Sequence, residues 1–214
     1  MILKARQRDL QESLPEALGL RAHRAISWLA RSEQEKRDPD ARFIFLWIAF
    51  NAAYANDFGD RERFREARLV FHFLERLVRA DHDKRLYELL WREFPKSIRT
   101  LIDNRYVYQP FWDYQNGQLS EAEWRRRFSD SKRAANRALG RQDTARVLAE
   151  VLRRLYTLRN QLIHGGATWN SSVNRSQVAD GARILGIFVP AVIHIMLEDE
   201  NRLWGDPCYP VVDV

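Results

Sequence analysis

The stretch TARVLAEVLRRLYTLRNQLIHGG, residues 144–166, predicts a long helix that packs against a hydrophobic core. Its apolar residues recur three or four positions apart, which places their side chains on one face of an α-helix. That stripe contains Val147, Leu148, Val151, Leu152, Leu155, Leu158 and Leu162. Gly165 and Gly166 then predict the C-cap, because glycine readily adopts the left-handed backbone that ends many helices.

Three polar residues, Arg159, Asn160 and His164, gather at the C-terminal end of this helix. Asn160 and His164 are four residues apart and share a face, and Arg159 lies one position round from it. One surface patch can therefore present all three side chains. An ordinary helix end has a similar composition, because cationic side chains are favoured near the negative end of the helix dipole. A functional patch and a plain helix terminus are both open interpretations of these residues.

The rest of the chain shows helical spacing and few strand signals, which predicts an all-α fold. Pro15 predicts the start of a long helix that reaches about Lys36, and Asp38-Pro39-Asp40 predicts a break and an N-cap. Further helices are predicted over residues 41–54, from Gly59-Asp60 to Ala80, and over about 86–94 before Pro95. Another helix is predicted to begin after Ser120, which opens it as a capping box. The last predicted helix begins at Asn174 or Ser176 and ends at about Glu200.

Residues 105–119, RYVYQPFWDYQNGQL, depart from helical spacing. Pro110 and Asn116-Gly117 predict an irregular or hairpin-like insertion. Its aromatic side chains beside arginine can stack on RNA bases, as in proteins that bind single strands. The alternative is that the aromatic side chains pin a loop to the core.

Chain length and composition predict one domain over residues 1–214, with a core from about 20 to 200 and an irregular tail over 201–214. The single cysteine, Cys208, allows neither an intramolecular disulfide nor a cysteine-based metal site. His23, His72 and His82 are not spaced in the sequence as the ligands of a metal ion are, so we expect no metal and no cofactor.

The N-terminus, MILKARQRDLQESL, lacks the apolar core of a secretory signal, which predicts a cytoplasmic protein. Two apolar runs, 43–55 and 184–197, are shorter than the roughly 20 residues that cross a bilayer. They contain Asn51, Pro190 and His194. We therefore expect buried helices and no membrane partner.

The formal net charge is +6, and only five of the 35 basic residues are lysines. Arginine favours planar, bidentate recognition of phosphate. On the helix that starts after Ser120, helical spacing places Arg126, Arg133 and Arg137 opposite an apolar side, with only Asp130 close to them. This face is a candidate RNA-binding surface, and a solvated charged face is the equal alternative.

The segment LRNQLIHGGATWNS, residues 158–171, resembles the HEPN superfamily (higher eukaryote and prokaryote nucleotide-binding domain). Members carry an arginine and a histidine with four to six residues between them, and the arginine is usually followed directly by Asn, Asp or His. Arg159, Asn160 and His164 match the form with four intervening residues. The stretch 43–54, which contains Asn51, resembles the early helix of an Apea-like branch. The resemblance spans roughly residues 20–200, and its specific part is the motif formed by Arg159, Asn160 and His164.

This resemblance implies an up-and-down helical bundle with extra helices, a homodimer, and often a metal-independent ribonuclease. The 2′-hydroxyl of RNA can attack the adjacent phosphate, so such an enzyme needs a proton acceptor, a charge on the phosphate and a proton donor. His164 is the candidate base or acid, Arg159 the candidate phosphate ligand, and Asn160 the residue that orients the substrate. Gly165 and Gly166 support the site by ending the helix.

The alternative function is a non-catalytic module that binds RNA, a nucleotide or a partner protein. A third possibility is a structural dimer in which Arg159 and His164 bond across the interface. Gly166 stands where relatives that pair with a nucleotidyltransferase antitoxin carry an aromatic residue two positions after the histidine. Toxin- or defence-like ribonuclease activity is expected, whereas an antitoxin partner of that kind is not favoured.

Overall fold

The computed structural model of the chain describes residues 2–54, 63–172, 174–201, 204–207 and 209. These residues form an all-α structure without a strand, which confirms the predicted fold class. The helices are α1 (Ile2–Leu10), α2 (Glu16–Ser32), α3 (Pro39–Tyr54), α4 (Arg63–Ala80), α5 (Arg85–Glu88), α6 (Pro95–Asp103), α7 (Gln109–Gln115), α8 (Glu121–Gly140), α9 (Thr144–Ile163) and α10 (Arg175–Glu198).

Helices α2, α3, α9 and α10 enclose the core. Helix α3 is buried on several sides, and its Phe43, Leu46 and Phe50 are almost inaccessible. Gly181 of α10 allows α3 to approach closely, because a Cβ at this position would lie 2.8 Å from the Phe43 ring. This packing holds α9 against the bundle and fixes which face of α9 meets solvent.

Local capping signals confirm several predicted helix starts. The Asp38 carboxylate accepts hydrogen bonds from the N–H groups of Asp40 and Ala41, at 3.0 and 3.1 Å, and thereby caps α3. The Ser120 hydroxyl accepts from the N–H of Glu123 at 3.2 Å and caps α8. The predicted start at Gly59-Asp60 lies outside the described residues.

Other predicted boundaries were wrong. Helix α2 ends at Ser32 instead of Lys36, and α1 precedes it where no helix was expected. Helix α5 continues as a π-helical turn that ends before Pro95, as predicted. Pro95 also begins α6, which was not predicted. Proline fits this position because the first turn of a helix leaves its N–H groups unbonded in any case.

The predicted irregular insertion at 105–119 is largely helical, with a 3-10 turn over Arg105–Val107 followed by α7. Pro110 occupies the first turn of α7 instead of interrupting it. Phe111 is buried against Trp124 of α8, with ring centroids 5.2 Å apart. The aromatic cluster therefore pins this segment to α8, and its burial outweighs the local loop signals.

The described part of the C-terminal tail has no regular secondary structure, and it packs on the bundle. Trp204 is buried, with its ring 5.6 Å from that of Phe73 and the Arg76 guanidinium 4.3 Å above it. Arg21, fully buried on α2, donates hydrogen bonds to the carbonyls of Ala53, Gly205 and Asp206. The tail is thus joined to the core by a buried cation.

Among the described residues one helix, α10, is long and apolar enough to cross a membrane by length and composition alone. The helix extends beyond its apolar run 184–197, and that run alone is too short to cross a bilayer. In the fold, 56 % of its most apolar window is buried. The absence of a membrane partner and the cytoplasmic location stay predictions.

Candidate functional site

The site helix α9 is anchored along the predicted stripe. Six of its seven stripe residues, Val147 to Leu158, are buried, and Leu162 is half-buried. At the N-terminus, the Asp143 carboxylate accepts from the N–H of Arg146 at 3.1 Å. Because the apolar face is held against the core, His164 is exposed, whereas Arg159 and Asn160 are half-buried at the border of that face.

Helix α9 ends in a Schellman motif, which confirms the predicted glycine cap. The Gly166 N–H donates to the Gln161 carbonyl at 2.7 Å, and the Gly165 N–H donates to the Leu162 carbonyl at 3.4 Å. Gly165 has a φ of +69°, a conformation that other residues adopt at a cost. A Cβ on Gly166 would lie 3.1 Å from the Gln161 carbonyl oxygen. Both glycines are therefore required by the local backbone.

Arg159 and Asn160 are bonded to each other. Arg159 Nη1 donates to Asn160 Oδ1 at 3.0 Å, and both side chains are half-buried. Among the described residues no carboxylate lies within ion-pair distance of Arg159, and its buried Nε has no hydrogen-bond partner. The Arg159 charge is thus positioned by a neutral amide, and no acidic side chain of the described part of the chain neutralises it.

His164 is the C-cap residue of α9 and is exposed. Its backbone N–H donates to the Asn160 carbonyl at 3.0 Å, which places the two residues one turn apart on the same face. The imidazole makes no hydrogen bond or ion pair with any described residue. Both ring nitrogens are therefore available to a ligand.

Two apolar side chains lie on the same outer side of α9. Ile163 is 48 % exposed, and Tyr156 is 37 % exposed with its ring 6.1 Å from that of Trp47. The Arg159 guanidinium lies 6.0 Å from the Tyr156 ring. The polar triad is thus bordered by hydrophobic surface.

The predicted arginine face of α8 is partly neutralised. Arg126 pairs with Glu123 at 3.0 Å and also approaches Asp130, and Arg133 pairs with Asp130. Hydrogen bonds from Arg127 and Arg126 lower the pKa of Glu123. Arg137 is exposed and has no carboxylate partner among the described residues. Of the three predicted RNA contacts, only Arg137 presents an uncompensated charge.

The Asn51 side chain is half-buried on α3 and makes no hydrogen bond with Arg159, Asn160, His164 or any other described residue. A half-buried amide can be hydrated, so it does not need a protein partner.

Sequence reasoning missed Arg154, a fully buried arginine on α9. Arg154 Nη2 lies 3.2 Å from Glu150 and donates to the Ser131 hydroxyl of α8 at 3.0 Å. Its guanidinium lies 4.3 Å from the Tyr108 ring. Burial lowers the pKa of Arg154, and Glu150 opposes that effect. The signal was its position four residues before Leu158, on the buried stripe.

A shallow depression lies beside α9, lined among others by Leu158, Gln161, Leu162 and Asn174. Leu158 and Leu162 point away from Asn160 and His164, whereas Gln161 lies three residues before His164 and is its neighbour on the helix surface. The depression therefore adjoins the candidate site. Among the described residues no three His, Cys, Asp or Glu side chains lie together as a metal site would need. The metal-free site stays a prediction.

Comparison of the chain with family models, with curated proteins and with solved structures gives no significant match.

Proposed function

We propose that this protein is a metal-independent endoribonuclease whose active site contains Arg159, Asn160 and His164. One observation supports this most directly: an arginine without a carboxylate partner is held by an amide, beside an exposed histidine with no bonded partner. A free guanidinium binds a phosphate oxygen, and a free imidazole takes up or gives a proton near neutral pH. These are the groups that RNA cleavage requires.

The proposed reaction is a transesterification within the RNA strand. The 2′-oxygen attacks the adjacent phosphorus, a 2′-O–P bond forms, and the bond from phosphorus to the 5′-oxygen breaks. The proton leaves the 2′-hydroxyl for a base, and the departing 5′-oxygen receives a proton from an acid. The products are a 2′,3′-cyclic phosphate and a 5′-hydroxyl. No metal or cofactor enters this scheme.

Arg159 would bind the scissile phosphate and stabilise the charge that grows on its oxygens. Asn160 already uses Oδ1 to hold Arg159, so its amide N–H groups are left to donate to a phosphate or ribose oxygen. His164 would transfer the proton at one end of the displacement.

A single histidine does not easily serve both ends of an in-line displacement. We therefore propose a homodimer in which two copies of α9 meet about a two-fold axis and two His164 side chains flank one substrate site. The exposed Ile163 and Tyr156 support this arrangement, because apolar side chains beside the triad gain from burial in an interface.

The alternative proposal is a non-catalytic module that binds RNA, a nucleotide or a protein partner through the same surface. Arg137 favours an RNA-binding contribution from α8, since its charge is not compensated by a described carboxylate. A binder of this kind would lose affinity with Arg159 but would show no cleavage that depends on His164. Cleavage of single-stranded RNA by the wild type and by His164→Ala, in the presence of a chelator, separates the two proposals.

A further inference from the structure

Trp169 is the most exposed tryptophan of the chain. It follows His164 by five residues and exposes 75 % of its surface, whereas the next most exposed tryptophan, Trp28, exposes 38 %. The fold gains little from an indole ring that remains in water. The position of Trp169 therefore needs another explanation than core packing.

The exposed ring is nevertheless held in place. The indole Nε1–H of Trp169 donates to Asp38 Oδ2 at 2.9 Å. The other oxygen of Asp38 caps α3 through the N–H groups of Asp40 and Ala41. The orientation of the ring is thus tied to the first turn of a core helix, and a ligand that used its face would find it already ordered.

The loop that carries Trp169 is fastened on both sides. The Asn170 N–H donates to Asp40 Oδ2 at 3.1 Å, and Arg175 binds both Asp40 oxygens at 2.9 and 2.6 Å. Arg175 also donates to Asn170 Oδ1 at 3.1 Å. The backbone around Trp169 is therefore connected to α3 and to the start of α10, while the faces of the indole ring remain exposed.

We infer that Trp169 is a stacking platform for an unpaired base of the RNA strand whose phosphate lies at Arg159 and His164, an inference that rests on the proposed function. Aromatic side chains bind single strands in this way because every base has a π face. A base inside a duplex is already stacked on its neighbours, so the platform selects single-stranded RNA.

Charge and reach both fit a base at this position. The Asp38 carboxylate lies at the Nε1 edge of the indole, so it disfavours a phosphate there, whereas a neutral base is tolerated. Trp169 follows His164 by five residues, and five residues of fully extended chain span at most about 18 Å. This distance corresponds to only a few nucleotides of an RNA strand. The stacked base is therefore close to the cleaved bond.

The test measures RNA affinity in the His164→Ala background, where the proposed cleavage is blocked. The probe is a fluorescently labelled single-stranded RNA of mixed sequence, and the readout is anisotropy. We expect Trp169→Ala to weaken binding by about 5- to 150-fold, the usual effect of losing one stacked base. Trp169→Phe keeps a ring but loses the bond to Asp38, and it should retain most of the affinity. Trp28→Ala, the matched control on α2, should bind as the parent does.

A second arm uses RNAs in which single bases are replaced by abasic sites. One such position should abolish the difference between the parent and Trp169→Ala. Equal affinity of Trp169→Ala and parent for the intact RNA, with cleavage by the wild type intact, overturns the inference and leaves the proposed function standing. A change of oligomeric state in Trp169→Ala without loss of RNA affinity assigns the ring to a protein contact and also overturns it. If the wild type neither binds nor cleaves RNA, the proposed function fails, and the inference fails with it.

Discussion

Arg159 Nη1 lies 3.0 Å from Asn160 Oδ1, so the guanidinium at the end of α9 is held by a neutral neighbour. Most arginines with a described ion-pair partner pair with a carboxylate three or four residues away in the sequence, as Arg126 and Arg133 do. An arginine held by an amide keeps its full charge for a ligand. This difference separates Arg159 from the charged surface of α8.

We expect cleavage to require both the positive charge of Arg159 and the two parallel N–H donors of its guanidinium. We expect Arg159→Ala to lower the cleavage rate by about 10²–10³-fold, the range for loss of one transition-state donor. Arg159→Lys keeps the charge but loses bidentate geometry, so its rate should lie between those of Arg159→Ala and the wild type. Single-turnover cleavage assays measure both.

Arg99→Ala is the matched control for that series. Arg99 is an exposed arginine of α6 without a carboxylate partner among the described residues. Its removal changes the net charge equally and should leave the rate unchanged. If Arg99→Ala and Arg159→Ala reduced cleavage alike, the effect would be general electrostatics, and the role of Arg159 in the site would be refuted.

The apolar border of the site should support the proposed dimer. Ile163 is 48 % exposed between the functional residues of α9, and a carboxylate there would be buried in the interface at a high cost. We expect Ile163→Asp to give monomers in sedimentation velocity and to lose cleavage. Ile187→Asp, at a similarly exposed isoleucine of α10, should change neither. An Ile163→Asp monomer with full activity would argue against a shared site.

The buried Arg21 should stabilise the tail as well as the bundle. Its replacement by methionine leaves the carbonyls of Ala53, Gly205 and Asp206 without their charged donor. Since a hydrogen bond to a charged group contributes about 1.5–3 kcal/mol, we expect Arg21→Met to lower the free energy of unfolding by at least about 3 kcal/mol. Urea denaturation measures the change.

Arg24→Met serves as the comparison, because Arg24 lies on the same helix and donates to a single tail carbonyl, that of Tyr209, in a more exposed setting. Its loss should cost less than about 1 kcal/mol. Equal losses for the two variants would mean that the burial of Arg21 has no energetic consequence.

Asp38 should make the stability depend on pH. Burial raises the pKa of Asp38, but hydrogen bonds from Ala41, Trp169 and Asp40 outweigh it, and the net pKa lies below the ordinary 3.8. A lowered folded pKa means that the stabilisation is complete above the unfolded pKa and is lost as the pH falls through the folded one. At neutral pH, Asp38→Ala should cost about 0.5–2 kcal/mol as a lost N-cap.

The difference in unfolding free energy between wild type and Asp38→Ala should therefore shrink as the pH is lowered below 3.8. Asp38→Asn keeps an oxygen acceptor but does not titrate, so its stability should vary less with pH than that of the wild type. A difference between wild type and Asp38→Ala that stays constant down to low pH would show that the carboxylate charge is not involved.

Sequence reasoning succeeded where the signal was local. The stripe of α9, its glycine cap, and the caps at Asp38 and Ser120 each depend on residues within one or two turns. It failed at 105–119, because Pro110 and Asn116-Gly117 indicate a loop, whereas the burial of Phe111 against another helix stabilises α7.

For the candidate site, too, the local features were predicted and the side-chain contacts were not. The shared face of Asn160 and His164 follows from spacing alone. The bond from Arg159 to Asn160 depends on side-chain rotamers, and so does the pairing of Arg126 with Glu123, which was not predicted. The bonds of Trp169 to Asp38 and of Arg21 to the tail join residues more than a hundred positions apart, which no local pattern reveals.

Cleavage of single-stranded RNA by the purified wild type and by His164→Ala, with EDTA present, decides whether the protein is a metal-independent ribonuclease. We expect the wild type to leave 2′,3′-cyclic phosphate and 5′-hydroxyl ends, and the folded His164→Ala protein to be slower by about a hundredfold or more. Cleavage that survives in His164→Ala, or a wild type that cleaves no RNA in a broad panel, would contradict the proposed function.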